Sequence, residues 1–213
     1  MSVLMRLTGW TGVAAFLLTM AVIPMWFVDD GAPSLANVLL RSYVNMFVLL
    51  LLLMFWVGFH HLARPESRPV GQFWSSVALV SAGAFVTLTF VSEALQVGAV
   101  LAASGTVDPT RVGGGAEGAL FLFGPVARLL TAATLISGSV AVLRTGIAPF
   151  AVAILGFVVG GFHLLLTATL FAGREPSNFL SINGWNIPVA GGLYLFWVMT
   201  AGVAFVRSGR SAT

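Results

Sequence analysis

An all-α fold, a single polytopic bundle of six transmembrane helices, is predicted by three observations. The 213 residues are 58% hydrophobic and only 8% charged, with a mean hydropathy of +1.00. A soluble domain carries roughly a quarter of its residues as charges. The chain also divides into long apolar runs separated by Arg, Pro, Gly and acidic residues. At about 20 residues per crossing, the length fits six crossings with short loops. One transmembrane domain over residues 1–213 is therefore expected, with no room for a nucleotide-binding fold.

The runs lie at 9–28, 42–63, 73–103, 118–143, 147–172 and 186–207. The first follows Arg6 and ends at Asp29 and Asp30; it has no small-residue cleavage site after a short apolar core, so it reads as a retained helix. The second lies between Arg41 and Arg64, the third follows Arg68 and Pro69, and the fourth runs from Glu117 to Arg144. The fifth lies between Gly146 and Gly173, and the sixth ends at Arg207.

All ten basic residues are Arg. With no Lys, a retinal Schiff base is excluded; with no Cys, so are disulfides, thiolate metal sites and c-type haem attachment. One set of helix ends carries Arg6, Arg64, Arg68, Arg144, Arg207 and Arg210 against Glu66 alone. The other carries Arg41, Arg111 and Arg174 with Asp29, Asp30, Asp108, Glu117 and Glu175. Basic residues concentrate on the cytoplasmic side of membrane proteins. Both termini are thus expected in the cytoplasm of a bacterial inner membrane, and loops 29–41, 104–117 and 173–185 outside, as a flexible cap. The positive net charge is a matter of topology, and no nucleic-acid partner is expected.

Ionisable residues inside spans are costly in lipid and mark functional positions. There are three: Glu93, Arg128 and His163. Counted from the outer helix ends at 1.5 Å per residue, they lie at about 15, 16 and 14 Å depth. An acid, a base and a titratable ring at one level suggest a shared polar chamber, with these three as catalytic candidates. Thr89, Glu93 and Gln96 fall on one helical face, as do Arg128 with Thr131 and His163 with Thr167. Asn45, Trp56, Tyr194 and Trp197 are candidate walls, completing with Thr89 and Gln96 a substrate-binding set. The plainer alternative is a Glu93–Arg128 pair that only holds helices in register, with His163 as a satisfied core residue. Asp29 and Asp30 are secondary acid candidates, although they lack the spaced carboxylates of a diphosphate-magnesium site. His60-His61 reads as an interfacial ring pair, so neither a metal nor a cofactor is expected.

The stretches FWVGFHHLAR, LRTGIAPFAVAILG and GGLYLFWVMTAGVAFVRS resemble a broad group of uncharacterised six-span membrane proteins from actinobacteria. That resemblance implies a fold and a host type. In size, single bundle and intramembrane carboxyl group the chain is also similar to small integral-membrane terpene cyclases of natural-product biosynthesis. This second likeness implies an enzyme acting on a lipophilic isoprenoid by proton-initiated cyclisation. Such chemistry needs an acid, for which Glu93 is best placed, and aromatic walls to stabilise a carbocation. A neighbouring Arg128 would weaken that acid. A proton-coupled carrier and a non-catalytic accessory or sensor protein are the alternatives; a three-plus-three repeat typical of carriers is not visible, and the oligomeric state is left open.

Overall fold

The computed structural model describes residues 2–27, 33–64, 68–103, 114–173, 178–182 and 184–210. Among them all regular structure is helical: α1 (Ser2–Val22), α2 (Leu35–Leu62), α3 (Pro69–Ala102), α4 (Gly114–Phe121), α5 (Ala127–Thr145), α6 (Phe150–Leu166) and α7 (Asn186–Arg210). A 3-10 segment, Ile23–Phe27, extends α1, and another, Thr167–Phe171, extends α6. A π turn, Leu122–Val126, fuses α4 and α5. Six helical stretches are long and apolar enough to cross a membrane: Ser2–Met25, Leu35–Leu62, Pro69–Ala102, Gly118–Thr145, Phe150–Phe171 and Asn186–Gly209.

Two helices begin seven residues ahead of the apolar runs, α1 at Ser2 rather than 9 and α2 at Leu35 rather than 42. Arg6 and Arg41 end a hydropathy run without ending a helix, because a helix satisfies its own backbone wherever it leaves the lipid. The start of α2 is capped: the Ser34 hydroxyl oxygen accepts the Asn37 backbone N–H at 3.3 Å. α3 begins on Pro69, whose missing N–H is harmless in the first turn. α5 ends at Gly146, which adopts φ 69° and returns its N–H to the Val142 carbonyl at 2.8 Å. Arg68 donates to the carbonyls of Arg144 and Thr145 and so ties the start of α3 to this same end of the bundle.

The spans form a closed ring in sequence order. α1 packs on α2, α2 on α3, α3 on α5, α5 on α6, α6 on α7, and α7 closes on α1. Lipid is as apolar as leucine, so such helices associate through close packing over small residues. At the closing seam a Cβ on Gly9 would lie 2.5 Å from the Gly202 carbonyl oxygen, and one on Gly202 would lie 2.6 Å from that of Gly9.

Aromatic side chains fill the centre. Trp56 of α2 and Trp197 of α7 stack with ring centroids 5.4 Å apart and planes 9° from parallel, and Phe55, Phe59 and Phe205 pack around them. Both indoles are fully buried and both N–H groups are satisfied: Trp56 donates to the Tyr194 hydroxyl and Trp197 to the Val152 carbonyl, each at 2.8 Å. Gly156 makes room for the second ring, since a Cβ there would stand 2.6 Å from Trp197 Nε1. Leu50, Val80, Val158 and Leu165 point outward, as a lipid-facing surface requires.

Candidate functional site

The site starts from a defect in the fourth span. Pro125 has no N–H to give to the Phe121 carbonyl one turn earlier. The backbone widens there into the π turn, with Gly124 at φ −84°, ψ −107°. Such turns inside helices are frequent at functional positions because they redirect the next side chains. Here the next turn carries Arg128.

Arg128 is 3% exposed. Its Nη1 donates to the Thr169 hydroxyl at 2.7 Å, and its Nη2 donates to the Asn186 side-chain oxygen. Asn186 is fully buried at the start of α7; its Nδ2 donates in turn to the carbonyls of Ser181, at 2.8 Å, and of Phe179. The guanidinium is thus held by neutral oxygens from the end of the fifth span and the start of the sixth. Gly124 lets the connection come close, because a Cβ at that position would meet Ile182 at 3.3 Å.

His163 on α6 is equally buried. Its Nε2 lies 3.0 Å from the Ala190 carbonyl oxygen. A carbonyl only accepts, so Nε2 carries the hydrogen of this bond. Nδ1 is buried with no hydrogen-bond partner among the described residues. Between the two side chains lies a cavity of about 60 Å³, with Arg128, Thr131, His163 and Tyr194 as its polar lining and Phe85 and Phe123 among its apolar walls.

A larger apolar groove, about 380 Å³, opens on the outside of the same kink. Phe121, Pro125 and Leu129 form one side, and Thr167, Leu170 and Phe171 the other. Phe171 is 87% exposed at its rim. The Arg128–Thr169 hydrogen bond joins the two segments that line this groove.

Glu93 does not join Arg128 and His163. Its carboxylate accepts from Ser42 Oγ and Asn45 Nδ2, each at 2.7 Å, and faces α2. The equal depth of the three residues concealed this, because depth along an axis leaves the direction around it open. Phe85 is the residue through which α3 borders the cavity. Glu93 lies eight positions further on, about 80° around the helix and about 12 Å along it. Thr89 is buried and bonds its own helix at the Phe85 carbonyl, at 2.8 Å, while Gln96 is half-buried. Trp56 and Trp197 belong to the aromatic core behind the cavity; Tyr194, bonded to Trp56, reaches it. Asn45 accompanies Glu93. His60 Nδ1 lies 3.0 Å from Ser75 Oγ. Asp29 and Asp30 lie outside the described residues. Among the described residues no group of three or more His, Cys, Asp or Glu could hold a metal ion.

Asn186, Thr169 and Ser42 were missed by sequence reasoning. Asn186 opens a helix, where Asn is common, and nothing local marks it as the partner of a distant Arg. Ser42, three residues before Asn45 on α2, was legible as part of a polar helical face.

Fold and site together define a six-span helical membrane protein with a small cavity, apolar apart from Arg128, Thr131, His163 and Tyr194, near a lipid-facing groove. No protein-family model, curated protein or solved structure matches this chain.

Proposed function

We propose that the protein is an enzyme of the bacterial cytoplasmic membrane, with both termini cytoplasmic, that takes a lipophilic, isoprenoid-type substrate sideways from the bilayer. The tail lies in the groove beside the fourth-span kink, and the polar end is handled at Arg128, His163 and Tyr194. The observation that carries this reading is the position of the Arg128–Thr169 hydrogen bond. It joins the two segments whose neighbouring residues wall the apolar groove, and Arg128 itself lines the small cavity. Ligand sites pair apolar walls with a few converging polar groups in this way.

Proton-initiated cyclisation is the reaction suggested by the resemblance to terpene cyclases, and Glu93 is the acid it would use. Glu93 is held toward α2 and borders neither space. The proposal therefore rests on the groove and the cavity, with cyclisation as the chemistry to assay. An accessory role built on a Glu93–Arg128 pair has less support, since the two side chains bond different partners.

The test is photolabelling of the protein in lipid nanodiscs with a diazirine-bearing farnesyl probe, the crosslinks being mapped by mass spectrometry. Labelling concentrated at residues 121–129 and 167–171 is expected. Even labelling over the lipid surface, with Leu50, Val80 and Val158 marked as strongly as the groove, overturns the reading.

A further inference from the structure

We infer that the cavity reads a hydroxyl group, so that the substrate class is a lipophilic alcohol whose O–H donates to His163 Nδ1. This rests on the proposal that a lipophilic substrate occupies the groove, and it names the polar end of that substrate.

The donor and acceptor pattern of the lining carries the inference. Nε2 of His163 gives its hydrogen to the Ala190 carbonyl, so in the neutral imidazole Nδ1 is a bare acceptor. That atom is buried and has no partner among the described residues. Buried polar atoms in folded proteins nearly always have one, and an exception calls for an explanation such as a ligand or water. The Tyr194 oxygen accepts from Trp56 Nε1, which leaves the phenol its own hydrogen to give. Arg128 is donor-only, and only two of its N–H groups serve the bonds to Thr169 and Asn186. The cavity thus offers a buried acceptor with no partner among the described residues, His163 Nδ1, and the Thr131 hydroxyl oxygen, whose own hydrogen goes to the Ala127 carbonyl, against donors from Tyr194 and Arg128.

A hydroxyl answers that pattern with a single atom: its hydrogen goes to Nδ1 and its lone pairs accept from Tyr194 and Arg128. A carbonyl or an ionised carboxylate brings only lone pairs and leaves Nδ1 facing another acceptor. An ammonium would satisfy Nδ1 but would sit beside a guanidinium. A hydroxymethyl head also fits: the cavity of about 60 Å³ is several times the roughly 10–15 Å³ that one buried water needs. The remainder of such a molecule must lie outside the cavity; cavity and groove share no lining residue, so the Arg128–Thr169 bond between them has to part for one molecule to occupy both.

The experiment is competition against the photoreactive farnesyl probe in nanodiscs, with farnesol, farnesal and farnesyl methyl ether as competitors. Farnesol should displace the probe at concentrations about tenfold lower than the other two, the usual worth of one satisfied buried hydrogen bond. His163→Phe should erase that preference while groove labelling persists. In parallel, a His60→Gln/His61→Gln protein carrying ¹⁵N-histidine leaves the His163 ring alone in the nitrogen spectrum. Its Nδ1 resonance should move on addition of farnesol and stay in place with farnesal, a readout independent of whether His163→Phe folds. Equal competition by all three compounds, with an unmoved Nδ1, would mean that the cavity holds water only; it overturns this inference and leaves the groove proposal standing. Absence of groove labelling altogether removes both.

Discussion

Arg128 on α5 donates to the side-chain oxygen of Asn186, the first residue of α7, and the other end of the same carboxamide holds the carbonyls of Phe179 and Ser181. One buried cation thereby fixes where the sixth span starts and how the connection before it folds back. Thr169 brings the end of the fifth span to the same point.

Asn186→Ala should destabilise the detergent-solubilised protein by about 3 kcal/mol, because it strips a partner from a buried charge and donors from two carbonyls. Arg128→Met should cost a similar amount. The double variant should fall short of the sum by at least about 1 kcal/mol, since once the guanidinium is gone its missing acceptor no longer matters. Strict additivity in chemical unfolding would show that the two side chains do not act as a unit.

Glu93 and Arg128 should behave independently. Glu93→Gln keeps an oxygen for Asn45 and a donor for the Ser42 hydroxyl, so its cost should stay within about 1 kcal/mol, whereas Glu93→Leu abandons both partners at about 2 kcal/mol. Combined with Arg128→Gln, the Glu93→Gln effect should add within about 0.5 kcal/mol. A large coupling energy would mean that the two side chains meet in the working protein.

If the protein cyclises an isoprenoid with Glu93 as the acid, Glu93→Gln should lower turnover roughly 100-fold or more in a folded protein. Product of unchanged mass and altered chromatographic retention is the readout. Full activity in Glu93→Gln would remove Glu93 from the chemistry and turn attention to Asp29 and Asp30.

Gly9→Ala should cost about 1–3 kcal/mol, as overpacking generally does, because its Cβ runs into backbone of α7 that has nowhere to move. Gly83→Ala and Gly161→Ala meet nothing within 4 Å and should be neutral or slightly stabilising. Comparable losses at all three positions would contradict the close α1–α7 seam.

A reporter fused after Thr213 should read cytoplasmic, and one inserted at Gly114 should read external, following the Arg distribution. The reverse pattern would invert the bundle and place the Arg128 cavity nearer the cytoplasm.

The six crossings were legible in the chain itself because burial in lipid demands a continuous run of apolar residues, a one-dimensional property that hydropathy measures directly. Arg128 and His163 stood out for the same reason, and their depth followed from counting along helices. Direction around a helix is different: it depends on which neighbour each face meets, and nothing local in a uniformly apolar run records that. Packing therefore separated Glu93, which turns to Ser42 and Asn45 on α2, from Arg128 and His163, which share a cavity with Tyr194. It also sent Trp56 and Trp197 to the core as a stacked pair, because Gly138 and Gly156 leave space there for two indoles. Asn186 acquired its role only when a kink at Pro125, some sixty residues earlier in the sequence, aimed a guanidinium at it.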